Sequence, residues 1–346
     1  MTGWIKSIIQ GREEASRDLI DAENRNILIE AIDAKGYYVI PEGYVHAVDG
    51  CTLKLCEEEI IGIAGESGCG KSTFGKVLMG FDKPPLRLAG GTITVNGLNI
   101  YSVNWNERKR LWGSSIAMIP QYSMNSLNPT RKIRDLIVDA MKEKFRSSVS
   151  ESEMLERATL RFKDLGLLPT ALDMYPFEMS GGMKHRAVIA ISTLLNPKVL
   201  IVDEPTSALD VSTQRLLLEL LYYIVKRKIV GSMIIISHDI ASLRQICDSL
   251  CIMYAGKIVE SADMEKMIEH PLHPYAILLL DAVVTPEPEI RKRKLEGIPG
   301  APPQLLRPPV GCRFSERCPY VMDRCKSEEP PYSEAEPDRF VACWLY

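Results

Sequence analysis

Residues 65–72 of this 346-residue chain read Gly65-Glu66-Ser67-Gly68-Cys69-Gly70-Lys71-Ser72. The stretch fits the phosphate-binding pattern G-x-x-x-x-G-K-[ST], and an apolar run at 60–63 predicts a strand before it. With a helix beginning near Lys71, the backbone N–H groups and the positive helix end would surround phosphates. We expect Lys71 to reach the β- and γ-phosphates and Ser72 to ligate Mg²⁺, with Thr73 beside them. The flanking strand disfavours the alternative, a glycine-rich turn without function.

A second apolar run, at 199–202, ends in two acidic residues, Asp203 and Glu204. In α/β sheets the carboxyl ends of the strands are where ligand chemistry occurs. Asp203 suits the Mg²⁺ shell, and Glu204 suits polarising or deprotonating an attacking water. His238 follows another predicted strand. A lone histidine at a strand end is ordinarily structural, but the neighbouring phosphate chemistry favours a catalytic role.

The remaining pattern predicts an α/β fold with a mixed sheet first, a helical insertion next and a parallel sheet last. Residues 131–195 have helical periodicity, and short apolar runs followed by helices are typical of buried parallel strands. The predicted strands lie at residues 27–32, 47–55, 59–63, 90–95, 199–202 and 233–236.

Size and composition exclude several classes of protein. A length of 346 residues favours one large domain with a smaller one. A net charge of −3 gives no reason to expect nucleic acid. No apolar run approaches the roughly 20 residues that span a bilayer, and early charges such as Glu13 and Arg17 do not fit a signal peptide. We therefore expect a soluble, cytoplasmic protein that reaches a membrane only through a partner.

The two ends of the chain differ from its centre. Residues 1–26 form an extension with apolar residues at helical spacing, which predicts either a loosely docked terminal helix or a membrane-surface or partner-binding helix. Its apolar residues are Trp4, Ile5, Ile8 and Ile9. Residues 282–310 are rich in proline and charge and predict a linker, in which the basic run 291–294 is a solvated surface.

Four of the nine cysteines lie in a tail after this linker, at Cys312, Cys318, Cys325 and Cys343. Structural zinc sites commonly use cysteine pairs two to four residues apart, and this tail has none. Iron–sulfur clusters use four thiolates at wider spacing, and disulfides are disfavoured in a reducing compartment. An iron–sulfur cluster is the favoured interpretation, with zinc and free or disulfide-linked cysteines as alternatives. The linker also suggests that the tail has no strong continuity with the main sheet.

Four further motifs resemble those of the ABC ATPases, and they occur along the chain in the same order as in that family. Residues 175–183, Tyr-Pro-Phe-Glu-Met-Ser-Gly-Gly-Met, resemble the family's signature motif. Residues 203–210 resemble its Walker B motif and D-loop, 119–121 its Q-loop and 237–239 its switch histidine. The resemblance implies an ABC-type nucleotide-binding domain at 27–281, with a helical subdomain at about 122–195 and a small cysteine-rich extension within 282–346.

The dipeptide/oligopeptide importer branch of this family is the most similar. Residues 125–129, 175–176, 273–275 and 311–314 carry that likeness, and the chain looks most like the first of the branch's two ATPase subunits. The chain departs from the branch at two places. Lys184-His185-Arg186 stands where Arg-Gln-Arg is usual, and Pro120 stands where Phe is commoner.

The resemblance also implies a mechanism. Members work as head-to-tail dimers in which the signature of one subunit, here Ser180, Gly181 and Gly182, faces the ATP on the other subunit. Gln121 would sense Mg²⁺ and the γ-phosphate, and Asp210 would cross the interface. An aromatic residue stacks on adenine, and by position Tyr38 fits best, with Tyr37 second.

The implied ligands are ATP, Mg²⁺ and, as in some members, a [4Fe–4S] cluster in the tail. The implied partners are a related second ATPase subunit, two membrane permease subunits and, indirectly, an extracellular substrate-binding protein, which places the chain on the cytoplasmic face of the membrane. The branch also serves nickel and oligosaccharides. A soluble ABC ATPase is less consistent, since the chain has one cassette and no room for the long coiled coil of DNA-repair members.

Overall fold

The computed structural model describes residues 26–145, 149–207, 209–282 and 297–346. Of the predicted N-terminal helix, only Asn26 falls within these residues. The basic run 291–294 also lies outside them. Among the described residues, no helix combines the length and apolarity needed to cross a bilayer.

An antiparallel sheet of four strands opens the fold. Its strand order is β2-β1-β4-β5. The first two strands extend beyond the predicted 27–32 and 47–55. The prediction for β1 stopped too early because register shifts between Ile32 and Lys35 break the apolar alternation there. The four strands are β1 (Ile27–Ile40), β2 (Gly43–Cys56), β4 (Leu86–Val95) and β5 (Leu98–Asn99).

A second sheet of eight strands positions the chemistry. Five strands run parallel in the order β6-β7-β8-β3-β9, and three antiparallel strands continue it as β10-β12-β11. Every residue of β3, β7 and β8 is buried, which is why their sequences are unbroken apolar runs. The strands are β3 (Ile60–Ala64), β6 (Ile116–Ile119), β7 (Val199–Asp203), β8 (Ser232–Ile236), β9 (Ser249–Tyr254), β10 (Lys257–Asp263), β11 (Ser333–Glu336) and β12 (Arg339–Val341).

Helices follow the parallel strands and fill the insertion between β6 and β7. Helix α1 follows β3, α6 follows β7 and α7 follows β8, as expected for strand–helix units. The helices of the described residues are α1 (Lys71–Leu78), α2 (Trp105–Leu111), α3 (Ile133–Phe145), α4 (Glu151–Asp164), α5 (Gly181–Ser192), α6 (Val211–Lys226), α7 (Ile240–Ile246), α8 (Met264–Glu269), α9 (Pro274–Asp281) and α10 (Asp323–Ser327).

Two apolar cores hold these layers together. One lies between the antiparallel sheet, α1 and the main sheet, and includes Ile29, Val48, Phe74 and Ile236. The other packs the insertion helices, α6 and α7 on the opposite side of the main sheet. The main sheet is therefore covered on both faces, and its strand ends remain accessible at the edge.

The tail is joined directly to the main sheet, so the expectation that it lacks continuity with that sheet is wrong. Strand β12 pairs with β10, with Val341 opposite Glu260. Next to this pairing, Arg339 forms an ion pair with Glu260 at 2.8 Å, and the two side chains are 2% and 0% exposed. A buried charge requires a partner, so this pair ties the end of the chain to the sheet. These partners lie 79 positions apart, beyond the reach of local sequence patterns.

Candidate nucleotide site

The phosphate loop connects β3 to α1, and two of its glycines are required by its shape. Gly65 has φ +152° and Gly70 has φ +108°. A Cβ atom at Gly65 would lie 2.1 Å from the Met253 carbonyl oxygen, and one at Gly70 would lie 2.0 Å from that of Ala47. The loop therefore lies against the backbone of two strands, where only glycine fits.

Lys71 begins α1, and its ammonium group is held by the loop itself. Its Nζ donates to the carbonyl oxygens of Gly65 at 2.7 Å and Glu66 at 2.9 Å. Ser67 and Gly68 are exposed at the rim of the loop, whereas the Cys69 side chain is buried in the core. Burial raises the pKa of the Cys69 thiol, and its sulfur accepts a long contact from Lys71 Nζ at 3.8 Å.

Ser72, in the first turn of α1, meets Asp203 at the end of β7. The Ser72 hydroxyl donates to Asp203 Oδ1 at 3.0 Å. Burial raises the pKa of the Asp203 carboxyl, and the Glu204 carboxylate raises it further, whereas the Ser72 hydrogen bond opposes the shift. The Ser72 hydroxyl oxygen and the Asp203 carboxylate oxygen are metal ligands of the kind that Mg²⁺ prefers. A divalent cation would offset the cost of the buried charge, so the residues fit the predicted metal.

Glu204 and His238 lie together at the ends of β7 and β8. Glu204 Oε2 is 2.8 Å from His238 Nδ1, and its backbone N–H donates to the Ile236 carbonyl oxygen at 2.8 Å. Glu204 adopts a left-handed backbone conformation with φ +48°. Strain of this kind at a non-glycine residue recurs at functional sites. The carboxylate is 9% exposed and the imidazole 61%, so His238 covers the acid from the solvent side.

Gln121 follows β6, which pairs in parallel with β7 so that Ile119 lies opposite Val202. Its neighbour Pro120 lines a cavity of about 160 Å³ together with Asp203 and Glu204. Gln121 itself is exposed. The parallel register therefore places the predicted Q-loop at the same edge as the acidic pair.

The two candidate adenine-stacking tyrosines have different surroundings. The Tyr38 hydroxyl lies 3.1 Å from Thr73 Oγ1, next to the phosphate loop. The Tyr37 hydroxyl instead donates to Asp49 at 2.5 Å, and its ring lies on His46 with centroids 4.2 Å apart. Of the two, Tyr38 is the one that contacts a predicted site residue.

The signature residues stand apart from the chain's own phosphate loop. Ser180 caps α5 by accepting from Met183 N–H at 3.3 Å. Gly181 and Gly182 are exposed, and within the described ranges no atom lies within 4 Å of a Cβ built on either. A helix N-terminus with open surroundings suits an anion brought by another molecule.

Asp210 caps α6. It accepts from the Thr213 backbone N–H at 3.0 Å and from the Thr213 hydroxyl at 2.6 Å. Hydrogen bonds from Ser212 and Thr213 hold the pKa of Asp210 well below its usual range. The residue is exposed and stays ionised, and its predicted role across an interface remains a prediction.

The four tail cysteines converge. Cys312, Cys318, Cys325 and Cys343 line one small cavity, and none of them is in a disulfide. Burial raises the pKa of Cys312 to about 11. Even so, within the described ranges no group of three or more His, Cys, Asp or Glu residues is arranged to hold a metal ion. The iron–sulfur cluster at these four cysteines therefore remains a prediction.

Contacts between the tail and the phosphate loop were not predicted from the sequence. Arg317 forms an ion pair with Glu66 of the loop, and Arg313 forms one with Asp49 of the neighbouring strand β2. The Glu66 backbone N–H donates to the Tyr275 hydroxyl at 2.9 Å. Glu66 and Arg317 are 251 positions apart, and no periodic or motif signal links residues at that distance.

Comparison with known proteins agrees with these features. A family described as ABC transporter matches residues 48–207, and one described as oligopeptide/dipeptide transporter, C-terminal region, matches 259–325. The dipeptide transport ATP-binding protein DppD of Caldanaerobacter subterraneus is 37% identical, covering 93% of this chain and 98% of the relative. The oligopeptide transport ATP-binding protein OppD of Escherichia coli is 38% identical, covering 93% and 94% respectively.

Among solved structures, a dimeric post-hydrolysis state of the ATP-binding cassette MJ0796, bound to ADP and Pi, matches with a TM-score of 0.59 and 23% identity. It covers 68% of this chain and 98% of that one, and at this identity it supports the fold alone. The predicted ABC cassette fold is thereby confirmed. The chain belongs to the ABC transporter ATPases, in the branch of the dipeptide and oligopeptide transport ATP-binding subunits.

Proposed function

We propose that this chain binds Mg²⁺–ATP and hydrolyses it to drive import of dipeptides or oligopeptides through membrane permease subunits. The observation that carries the proposal is the convergence at one sheet edge of the phosphate loop, the Ser72–Asp203 pair and the Glu204–His238 pair. In open α/β sheets, ligands such as nucleotides bind outside the carboxyl ends of the parallel strands.

Each residue then has a defined task. Lys71 leaves the loop carbonyls and binds the β- and γ-phosphates. Ser72 and Asp203 would hold Mg²⁺, which would neutralise phosphate charge. Glu204 takes a proton from the attacking water, and His238 fixes the orientation of its carboxylate. Gln121 would sense the bound Mg²⁺ and the γ-phosphate and couple their presence to the helical insertion.

A second ATPase subunit completes each site. Ser180, Gly181 and Gly182 contribute the N-terminus of α5 to the γ-phosphate on the partner, and Asp210 contacts the partner across the interface. ATP bridges the subunits and closes them because it binds the closed dimer more tightly than the open one. Hydrolysis removes that bridge. As the family resemblance implies, this partner is a related but non-identical ATPase.

The reaction cycle acts on the permease from the cytoplasmic face of the membrane. The loop after Gln121 and the helical insertion move with closure, and the permease subunits convert this movement into alternating access. The relatives named for dipeptide and oligopeptide transport support a peptide as the cargo. An extracellular binding protein would deliver that cargo.

Reconstitution tests this function. Vesicles are assembled with the chain, its partner ATPase, the permease pair and the extracellular binding protein encoded beside this chain. Uptake of labelled peptide is then measured in the presence of ATP. We expect ATP-dependent uptake of peptides, and none of a labelled oligosaccharide or of nickel ions. Uptake of either alternative cargo in place of peptide would contradict the peptide assignment, and failure to co-purify with permease subunits would contradict the transport role.

We also propose that Cys312, Cys318, Cys325 and Cys343 hold a [4Fe–4S] cluster with a structural role. The support is the donor set, four thiols around one cavity at spacings that suit iron–sulfur ligation. Because burial raises the pKa of Cys312 to about 11, ligation requires loss of a proton that this thiol otherwise keeps.

Metal analysis after anaerobic purification tests the cluster. We expect about four iron and four sulfide per chain, lost in Cys318→Ser but kept in the matched variant Cys56→Ser, whose cysteine lies outside the cavity. One zinc per chain, or no metal at all, would refute the proposal. ATP binding should persist in Cys318→Ser.

A further inference from the structure

One side chain of the tail reaches the phosphate loop. Arg317 Nη1 donates to Glu66 Oε2 at 2.7 Å and Nη2 donates to Glu66 Oε1 at 2.9 Å. The arginine is 5% exposed and the glutamate 26%. Paired hydrogen bonds between a guanidinium and a carboxylate fix direction as well as distance. Glu66 therefore has one set orientation for its side chain.

Arg317 is itself held from three sides. Its Nε donates to the Pro299 carbonyl oxygen at 2.6 Å, and Nη1 also donates to the Tyr254 hydroxyl at 3.2 Å. Its guanidinium lies 5.6 Å from the Tyr254 ring centroid and 5.9 Å from that of Phe314. The hydrogen bonds to Glu66 raise the pKa of Arg317 above its usual value. The guanidinium is a fixed, permanently charged support.

Glu66 passes this support on to the nucleotide site. Its backbone N–H is held by the Tyr275 hydroxyl, and its carbonyl oxygen accepts from Lys71 Nζ at 2.9 Å. The residue that carries the Arg317 contact thus also holds the lysine predicted to bind phosphate. A shift of Glu66 would therefore move the first turn of the loop, whose backbone N–H groups are expected to surround the phosphates.

A second arginine of the same segment supports the other end of the loop. Arg313 donates to the Ala255 carbonyl oxygen and to Asp49. Gly256, which follows Ala255 in the chain, donates its N–H to the Cys69 carbonyl oxygen at 2.7 Å. The segment between Cys312 and Cys318 therefore contacts one end of the phosphate loop directly, through Arg317, and is linked to the other end through Ala255 and Gly256.

We propose that Arg317 is a positioning residue for ATP binding: through Glu66 it holds the phosphate loop in the shape that receives ATP. This inference rests on the proposed nucleotide site. The pair involves the resting loop and no reacting atom, so its loss raises the ATP concentration needed for half-saturation and leaves the rate at saturation nearly unchanged.

The test compares two tail arginines in the full chain. Arg317→Gln removes the contact to the loop. Arg339→Gln is the matched control, because Arg339 is equally buried and paired with Glu260 in the tail's other attachment to the sheet. The dissociation constant for ATP is measured directly, the turnover rate is measured at saturating ATP, and thermal unfolding reports stability.

We expect Arg317→Gln to weaken ATP binding roughly tenfold or more, as loss of a charge-assisted pair implies. The rate at saturation should stay within about twofold of wild type, and Arg339→Gln should lower stability without weakening ATP binding. In a double-mutant cycle, Glu66→Gln added to Arg317→Gln should weaken binding no further, because both changes remove one interaction. Arg317→Lys and Glu66→Gln alone carry the test if Arg317→Gln does not fold.

Three results would overturn the inference: unchanged ATP affinity in Arg317→Gln, equal weakening in Arg339→Gln, or additive effects in the cycle. Lys71→Ala separates this failure from that of the site itself. If Lys71→Ala loses ATP while Arg317→Gln keeps it, only the positioning role is wrong. If both bind ATP normally, the nucleotide site is wrong.

Discussion

The fit of the phosphate loop against β2 makes a quantitative prediction for Gly70→Ala. The new Cβ atom would lie 2.0 Å from the Ala47 carbonyl oxygen, and the residue would keep φ +108°. A carbonyl oxygen within a strand cannot turn aside as a flexible side chain can. The loop must therefore move away from β2, and we expect both stability and ATP binding to fall.

The matched variant Gly68→Ala separates clash from backbone strain. Gly68 has φ +80°, and no atom of the described chain lies within 4 Å of the position that a Cβ would take there. The free energy of unfolding of Gly68→Ala should fall only by the cost of a left-handed backbone conformation, about 1–2 kcal/mol. Gly70→Ala adds overpacking of about 1–3 kcal/mol. The expected loss for Gly70→Ala is therefore about 2–5 kcal/mol.

Urea denaturation of the nucleotide-free proteins measures both losses, and isothermal titration with ATP measures binding. The difference between the two variants is the informative quantity, because the cost of positive φ is common to both. Equal destabilisation of the two variants would refute the close approach of the loop to Ala47, and so would normal ATP binding by Gly70→Ala.

Three further predictions concern individual groups. Lys71→Ala should weaken ATP binding and stop turnover, which equilibrium binding and phosphate release would measure, and unchanged affinity would contradict it. Because burial raises the pKa of Asp203, the folded protein holds that proton more tightly than the unfolded chain does, and the ionised carboxylate costs stability above its folded pKa. Asp203→Asn should therefore raise the urea midpoint at neutral pH while abolishing Mg²⁺-dependent hydrolysis. That gain should vanish as the pH falls and wild-type Asp203 becomes protonated, and a gain independent of pH would be inconsistent with this cause. Gln121→Ala should leave ATP binding intact but uncouple hydrolysis from peptide uptake, and normal coupling in vesicles would count against its role.

The sequence was sufficient to predict the buried strands β3, β7 and β8, after which most of the candidate site residues follow. Unbroken apolar runs marked β3, β7 and β8, because strands buried on both faces need no polar alternation. Motif spacing then predicted which residues follow those strands, and the Ser72–Asp203 and Glu204–His238 contacts agree with that placement.

Other parts of the fold were not predictable from local patterns. Strand β6 has only four residues, and β10 mixes charged with apolar positions, so neither gave a clear signal. The attachment of the tail depends on ion pairs between distant residues, such as Arg317 with Glu66 and Arg339 with Glu260. Such partners are brought together by the complete fold alone. The proline-rich linker consequently suggested that the tail is separate from the main sheet, whereas β12 is a strand of that sheet.

The most direct test of the account is hydrolysis by the assembled transporter with Glu204→Gln, together with the corresponding change in the partner ATPase. Glutamine keeps the size of the side chain and an oxygen or nitrogen for His238, but it cannot accept the proton of the attacking water. Phosphate release should fall by roughly 10²–10⁴-fold, as expected for loss of a general base, while ATP stays bound in a closed dimer. Phosphate release at the wild-type rate would contradict the account.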